Sequence, residues 1–237
     1  MQIFVSLLPS LPVIDSTTDV AVVIDVLRAT SVMATALSAG ADAVVTCRDI
    51  SQAREFADTL SPRPLLCGER QCKPIKGFDL GNSPSEYTAE RIFGKQLVLT
   101  TTNGTMAIEA TQHAPHVVTA SFLNLSSVVS SIADAGKVHL VCAGTDGHIT
   151  VEDVLLAGAL IDRCRTSYRA EAAGDESVLA SQLWRSWFGS GQLPSREALS
   201  ARLGETRGGR NLVRQGYHQD LDRCAAIDAL QVLPQRV

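Results

Sequence analysis

The feature that most restricts this chain is an alternation that runs from residue 2 to residue 165: short runs rich in Val and Leu, each followed by a stretch with helical spacing. A strand that is apolar along its whole length is stable only where helices cover both faces of its sheet. Runs of this kind predict strands at Gln2–Leu7, Val20–Val26, Ala41–Cys47, Arg63–Cys67, Gln96–Thr100, His116–Ser121 and Val138–Cys142. The intervening spacing predicts helices over Ser31–Ser38, Ile50–Leu60, Pro84–Phe93, Thr105–Ala110, Leu125–Ala133 and Val151–Arg165. The fold expected is α/β, with three layers (α/β/α) around a largely parallel or mixed sheet. Strand-turn-helix units at Val22–Leu37 and Val138–Leu160 suggest two similar halves, about 1–115 and 116–237, within a single compact unit.

Composition narrows the function classes. With 45% hydrophobic and 19% charged residues, disorder and an extended coiled coil are excluded, and 5% aromatics argue against a β-sandwich. A formal net charge of −4 supplies no overall attraction for nucleic acid, so any anion must be captured by a local site. The apolar runs fall short of a membrane span, and the N-terminus has no basic leader and is interrupted by Pro9 and Pro12, so a cytoplasmic protein is expected. Cys47, Cys67, Cys72, Cys142, Cys164 and Cys224 lack CxxC spacing and read as reduced, mostly buried thiols. The five histidines show no zinc spacing.

Beyond Arg165 the pattern changes. A polar loop over 166–176 precedes an amphipathic helix at Val178–Phe188 carrying Trp184 and Trp187, which are expected either in the core or at a homodimer contact. A short helix at Glu197–Leu203 and a last one at Gln219–Ile227 complete the chain. Three helix starts carry capping residues: Ser83 with Glu86, Asn124, and Thr150 with Asp153, whose acid is read first as part of that cap.

Four strand ends run through a small polar turn into a helix: Asp25–Ser31, Thr101–Thr105, Ser121–Asn124 and Ala143–Gly147. In open parallel sheets ligands bind at the carboxyl ends of strands, so these turns predict an anion site at that edge. Asp25 ends a strongly apolar strand, where a carboxylate needs a partner, and two readings stand: a structural pair with Arg28, or a metal on Asp25 with Arg28 left for an anion. Glu69, Arg70, Lys73 and Lys76 make a second mixed cluster, read as a metal and anion loop or as a solvated one. Asp79 is either a third oxygen ligand or a turn former. Thr101-Thr102-Asn103-Gly104-Thr105 offers hydroxyls, an amide and a permissive backbone for a phosphate.

These blocks together resemble the 2-phosphosulfolactate phosphatase family. The resemblance is carried by Val23-Ile24-Asp25-Val26-Leu27-Arg28-Ala29-Thr30-Ser31, Gly68-Glu69-Arg70, Gly77-Phe78-Asp79-Leu80-Gly81-Asn82-Ser83-Pro84, Thr100–Thr105, Ser121-Phe122-Leu123-Asn124 and Cys142-Ala143-Gly144-Thr145. It spans about Val20 to Gly158 and continues more weakly through Arg207–Pro234; the family's C-terminal His-Gly-Arg triplet reads Gly208-Gly209-Arg210 here. The resemblance implies Mg²⁺-dependent hydrolysis of 2-phospho-3-sulfolactate, of the coenzyme M biosynthesis type. It implies catalytic roles for Asp25, Arg28, Glu69 and Asn103, and metal binding by Asp25, Glu69 and Asp79. Substrate contacts then fall to Thr30, Ser31, Arg70, Lys73, Thr102, Gly104, Thr105 and Arg210. Asp25 could alternatively take the phosphoryl group covalently. Two other readings stay open: a phosphatase for another phosphorylated 2-hydroxy acid, and a non-catalytic anion-binding protein. The partners expected are a small anionic phosphoester and a second copy of the chain, without nucleic acid or membrane.

Overall fold

The computed structural model describes residues 1–9, 14 and 17–236; Pro12, expected in the opening loop, lies outside them. In chain order the strands are β1 (Gln2–Ser6), β2 (Val20–Ile24), β3 (Ala43–Thr46), β4 (Leu65–Arg70), β5 (Lys73–Pro74), β6 (Gln96–Thr100), β7 (His116–Ala120), β8 (Lys137–Cys142) and β9 (Glu171–Ala172). The helices are α1 (Ala29–Ser38), α2 (Ile50–Asp58), α3 (Ala89–Ile92), α4 (Gly104–Ala110), α5 (Leu125–Ser131), α6 (Val151–Tyr168), α7 (Asp175–Phe188), α8 (Arg196–Glu205), α9 (Arg207–Arg214) and α10 (His218–Cys224).

The strands form two sheets. The larger has the order β7-β2-β8-β1-β9 and is parallel throughout; the smaller has the order β3-β6-β4-β5, with only β5 antiparallel. In register, Val22 of β2 lies between Val118 of β7 and Leu140 of β8. The pleat then divides the core. Val22, Ile24, Val118, Leu140 and Cys142 face α5, α6 and α7, whereas Ala21, Val23, Val117 and Val141 face α4. In the smaller sheet Leu97 and Leu99 of β6 pack with Val32, Met33 and Ala36 of α1, and Val98 packs with Ala53 and Ala57 of α2. Helices therefore cover both faces of each sheet, the three-layer α/β arrangement expected from the apolar runs. The two sheets end at β3 and β7; α1 lies against both strands, and the outer edge of β7 pairs with the C-terminal tail. The larger sheet takes β1 and β2 from before residue 115 and β7, β8 and β9 from after it.

Several local expectations change. Pro84–Phe93 is a 3₁₀ turn at Pro84–Glu86 followed by the short α3, because Ser83 turns its hydroxyl to Asp220 and Glu86 accepts from the Gly81 N–H. Asn124 does not cap α5; its Oδ1 accepts from the Ser121 N–H at 2.8 Å. Trp184 is buried, stacked on Phe122, so it belongs to the core and not to an exposed face; Trp187 is half-buried with Arg202 over its ring. The C-terminal segment also adds α9, and its tail pairs with β7 through Thr119 N–H to Pro234 O and Arg236 N–H to Val117 O, each 2.9 Å. No helix among the described residues is long and apolar enough to cross a membrane.

Candidate active site

The carboxyl ends of β2 and β8 from one sheet, and of β4 and β6 from the other, open onto one cavity of ≈ 270 Å³. Asp25 and Arg28 reach it from the turn after β2, Glu69 from β4, Thr101–Asn103 from the turn after β6, and Thr145 and Asp146 from the turn after β8. Three of the four polar turns thus converge. The fourth, Ser121–Asn124, serves the C-terminal segment instead: Asp228 N–H donates to Phe122 O and Leu230 N–H to Leu123 O.

Asp25 is 7% exposed. Its Oδ1 accepts the Ala29 N–H at 3.2 Å, while Oδ2 takes no protein donor among the described residues. A Cβ added to Gly104 would sit 2.7 Å from that Oδ2, so glycine is what allows the turn after β6 to close against the carboxylate. Burial, with the charges of Glu69 and Glu152 adding to it, raises the Asp25 carboxyl to about 7; the Ala29 N–H and the Arg28 charge oppose the rise.

Two further acids stand behind Asp25: Asp153, which reads differently from the sequence expectation, and Glu152. Asp153 does not act as a simple cap. Its Oδ1 accepts the Val26 N–H at 2.9 Å, and its Oδ2 accepts the Gly144 N–H at 3.0 Å and the Thr150 hydroxyl at 3.1 Å, tying the ends of β2 and β8 together. Burial first, then the Asp25 and Glu152 charges, raises its carboxyl well above the usual range. Glu152 is 2% exposed and its Oε2 lacks a hydrogen-bond partner. Its Oε1 lies 1.9 Å from where a Gly208 Cβ would be, so a larger residue at 208 requires Glu152 to move. Burial raises the Glu152 carboxyl against the pull of its hydrogen bonds to its own N–H, Thr206 and Gly208, and of the Arg210 charge.

Glu69 holds the walls in place. Its Oε1 accepts both the Thr102 N–H and hydroxyl at 2.9 Å, and its Oε2 accepts the Cys72 N–H at 2.7 Å. Arg28 pairs with Asp220 and not with Asp25: Nη1 to Oδ2 is 2.6 Å, with both side chains almost fully buried. Asn103 accepts the Asp146 N–H at 3.1 Å, joining two of the turns.

Other expected contacts point elsewhere. Thr30 and Ser31 donate their hydroxyls to Asp25 O and Val26 O, so they shape the turn and do not face the cavity. Thr105 likewise donates to Thr101 O. Arg70 folds back onto Glu69 O and Thr100 Oγ1, because the end of β4 offers nearer acceptors than the cavity does. Lys73 is exposed on β5, and Arg210 is exposed on α9 with its guanidinium on Glu205 O. Asp79 is spent on the Leu66 N–H at 2.8 Å with Arg63 beyond it, away from the cavity. The ligand set Asp25, Glu69 and Asp79 is therefore not assembled, and no group of three or more such side chains among the described residues is placed to hold a metal ion. Asp25, with its open Oδ2, remains, and Glu69 beside it is already engaged by Thr102 and Cys72. A single open carboxylate oxygen suits a hard cation of the Mg²⁺ kind, which completes its shell with water and substrate oxygens. Cys142 is fully buried, and burial raises its thiol well above the ordinary range, as fits an inert core residue.

The cavity also has a wall that the strand-turn-helix pattern did not indicate: Gly208, Asn211, Leu212, Arg214 and Gln215 of α9 and its end, with Asn82. The Asn82 Oδ1 is buried and unpartnered, and the Arg214 guanidinium bonds Asn211 Oδ1 at 2.7 Å. The advance signals were the weaker resemblance through Arg207–Pro234 and the substrate contact it implied for Arg210.

Comparison with known proteins shows which family the chain is similar to. The profile of the family described as 2-phosphosulpholactate phosphatase matches residues 7–237. A protein of Microcystis aeruginosa named "Probable 2-phosphosulfolactate phosphatase" is 37% identical over 238 residues, covering 99% of this chain and 95% of its own. Proteins of the same name from Thermotoga maritima and Gloeobacter violaceus are 40% and 39% identical, covering 92% and 100% of this chain and 88% and 95% of their own.

Proposed function

The chain belongs to the 2-phosphosulfolactate phosphatase family of phosphoric monoester hydrolases, and from that premise we propose that it hydrolyses 2-phospho-3-sulfolactate to 3-sulfolactate and phosphate, with Mg²⁺, as a step of coenzyme M biosynthesis. The observation that carries the reading is the single cavity in which an open Asp25 carboxylate oxygen, the Thr101–Asn103 turn and the Arg28 guanidinium meet. Mg²⁺ would be held by Asp25 with Glu69 beside it, and would supply charge neutralisation at the phosphoryl oxygens. The remaining work falls to the chain's own groups. Arg28 neutralises a phosphoryl oxygen, and the Thr102 backbone, fixed by Glu69, shapes the anion seat. Water adds its oxygen to phosphorus as the bond to the sulfolactate oxygen breaks, and a proton given up by that water ends on the departing oxygen, which leaves as a hydroxyl. Arg214 at the α9 wall faces the acid end of the substrate. A homodimer completes the proposal, and sedimentation at twice the 25.3 kDa chain mass tests it.

The direct test is phosphate release from 2-phosphosulfolactate and from a panel of other phosphorylated 2-hydroxy acids, with and without EDTA. Selective, EDTA-sensitive release from phosphosulfolactate is expected. Faster release from another acid moves the substrate assignment, and no release from any of them leaves an anion-binding protein.

A further inference from the structure

Arg28 is buried yet lines the cavity, and its surroundings come from two distant parts of the chain. Asp220 of α10 accepts from Arg28 Nη1 at 2.6 Å through Oδ2, and from the Ser83 hydroxyl at 2.7 Å through Oδ1. Ser83 Oγ is itself 2.7 Å from Ser85 Oγ. Tyr217, one turn before Asp220, places its ring 4.3 Å from the Arg28 guanidinium carbon. The carboxylate is fixed on both oxygens and the guanidinium is fixed on one edge and one face, which leaves its other N–H groups without a protein acceptor among the described residues.

We infer that Asp220, with Tyr217, is a positioning residue that clamps Arg28 so that its remaining N–H groups are presented to an oxyanion in the cavity. The inference rests on the phosphatase reading and deepens it, since it makes the C-terminal helices part of the site. A buried ion pair is by itself a poor source of stability, and apolar residues of similar volume commonly replace one without loss. What the pair does supply is a fixed orientation for a planar donor that recognises phosphate through two parallel N–H groups.

The sign of one change separates positioning from mere charge balance. Asp220→Asn keeps the shape and the acceptor for Ser83 but removes a negative charge beside the anion site. If Asp220 only neutralised Arg28, inorganic phosphate would bind the variant more tightly. If it positions Arg28, phosphate binds about tenfold more weakly despite the gained positive charge, kcat falls about 10–100-fold, and Asp220→Glu recovers part of both. The experiment is calorimetric titration of the whole chain with inorganic phosphate, beside kcat and a melting curve showing each variant folded. A folded Asp220→Asn that binds phosphate as well as or better than the wild type overturns the clamp. Should Asp220→Asn fail to fold, Tyr217→Leu removes the stacking platform without unpairing a buried charge. Weaker phosphate binding is expected there, and unchanged binding overturns the inference. A wild type that binds phosphate but releases none from phosphosulfolactate overturns the substrate reading alone, whereas one that binds no phosphate overturns the clamp.

Discussion

The two sides of the cavity are built on opposite principles. The strand-end side gathers Asp25 and Glu69, with Glu152 and Asp153 behind, into a low-dielectric region where burial raises three of the four carboxyls. The helical side carries the exposed Arg214 on α9 and, on and beside α10, the Asp220 and Tyr217 that hold Arg28, itself part of the turn after β2. Like charges packed together cost stability and are retained where a cation or a proton will relieve them; Arg28 beside them and Arg214 across the cavity suit the anion that cation would accompany. A buried acid cluster with arginines lining the same cavity is what a cation-assisted reaction on a multiply charged anion requires.

The comparison breaks first at Asp25. Asp25→Asn should lower turnover about a thousandfold or more while leaving the fold intact, since the amide still accepts the Ala29 N–H; a variant near wild-type kcat removes Asp25 from the chemistry. Three residues on in the same turn, Arg28→Lys should lose about a hundredfold in kcat/KM, because an ammonium cannot reproduce the fork that meets Asp220 on one edge and phosphate on the other. Steady-state kinetics on purified, folded protein reads both.

The strand-end wall was largely foreseeable. Asp25, Glu69 and Thr101–Asn103 sit where apolar strands end in polar turns, and that local pattern identifies a ligand edge whatever the sheet order. Glu152 and Asp153 were obscured by position: the first turn of a helix is an ordinary place for an acid, and only the meeting of β2 with β8 turns the Asp153 carboxylate toward Val26 and Gly144. Of the helical wall only the resemblance through Arg207–Pro234 gave a sign, and it pointed to Arg210, which lies exposed on Glu205 O. Asp220 lies 192 residues from Arg28, and nothing local in α10 distinguishes its acid from a solvated one. Asp79 and Arg70 failed for the converse reason, because charged residues in a loop reveal their type but not which backbone groups lie nearer than the cavity.

Asp153 offers a stability test of the acidic wall. Asp153→Ala leaves the Val26 and Gly144 N–H groups unpaired in the interior and should cost about 3 kcal/mol or more in urea unfolding; a loss below about 1 kcal/mol means that those bonds do not hold the two strand ends.

The raised Asp25 carboxyl sets a pH dependence with a defined sign. Between the ordinary carboxylate range and about 7, folded Asp25 keeps a proton that the unfolded chain gives up, so its contribution to stability falls as pH rises through that window. Asp25→Asn removes the Asp25 share of the dependence and leaves that of the buried Glu152 and Asp153. In EDTA the variant should match the wild type near pH 4 and exceed it at about pH 8, by on the order of a few kcal/mol. Melting curves that stay parallel across this range would show that Asp25 is not held protonated. The smallest effect is expected at the cavity rim: Arg214→Gln should raise KM for phosphosulfolactate roughly three- to tenfold with little change in kcat, as fits an exposed contact to the acid end. An equal fall in kcat would place Arg214 nearer the phosphoryl group.

The division of labour between Asp25 and the clamped Arg28 is tested most directly by titrating Mg²⁺, and separately inorganic phosphate, into the wild type, Asp25→Asn and Arg28→Lys by calorimetry. The account predicts that Asp25→Asn loses Mg²⁺ binding, and that Arg28→Lys keeps it but binds phosphate at least tenfold more weakly than the wild type. Mg²⁺ binding by Asp25→Asn at wild-type affinity would contradict it.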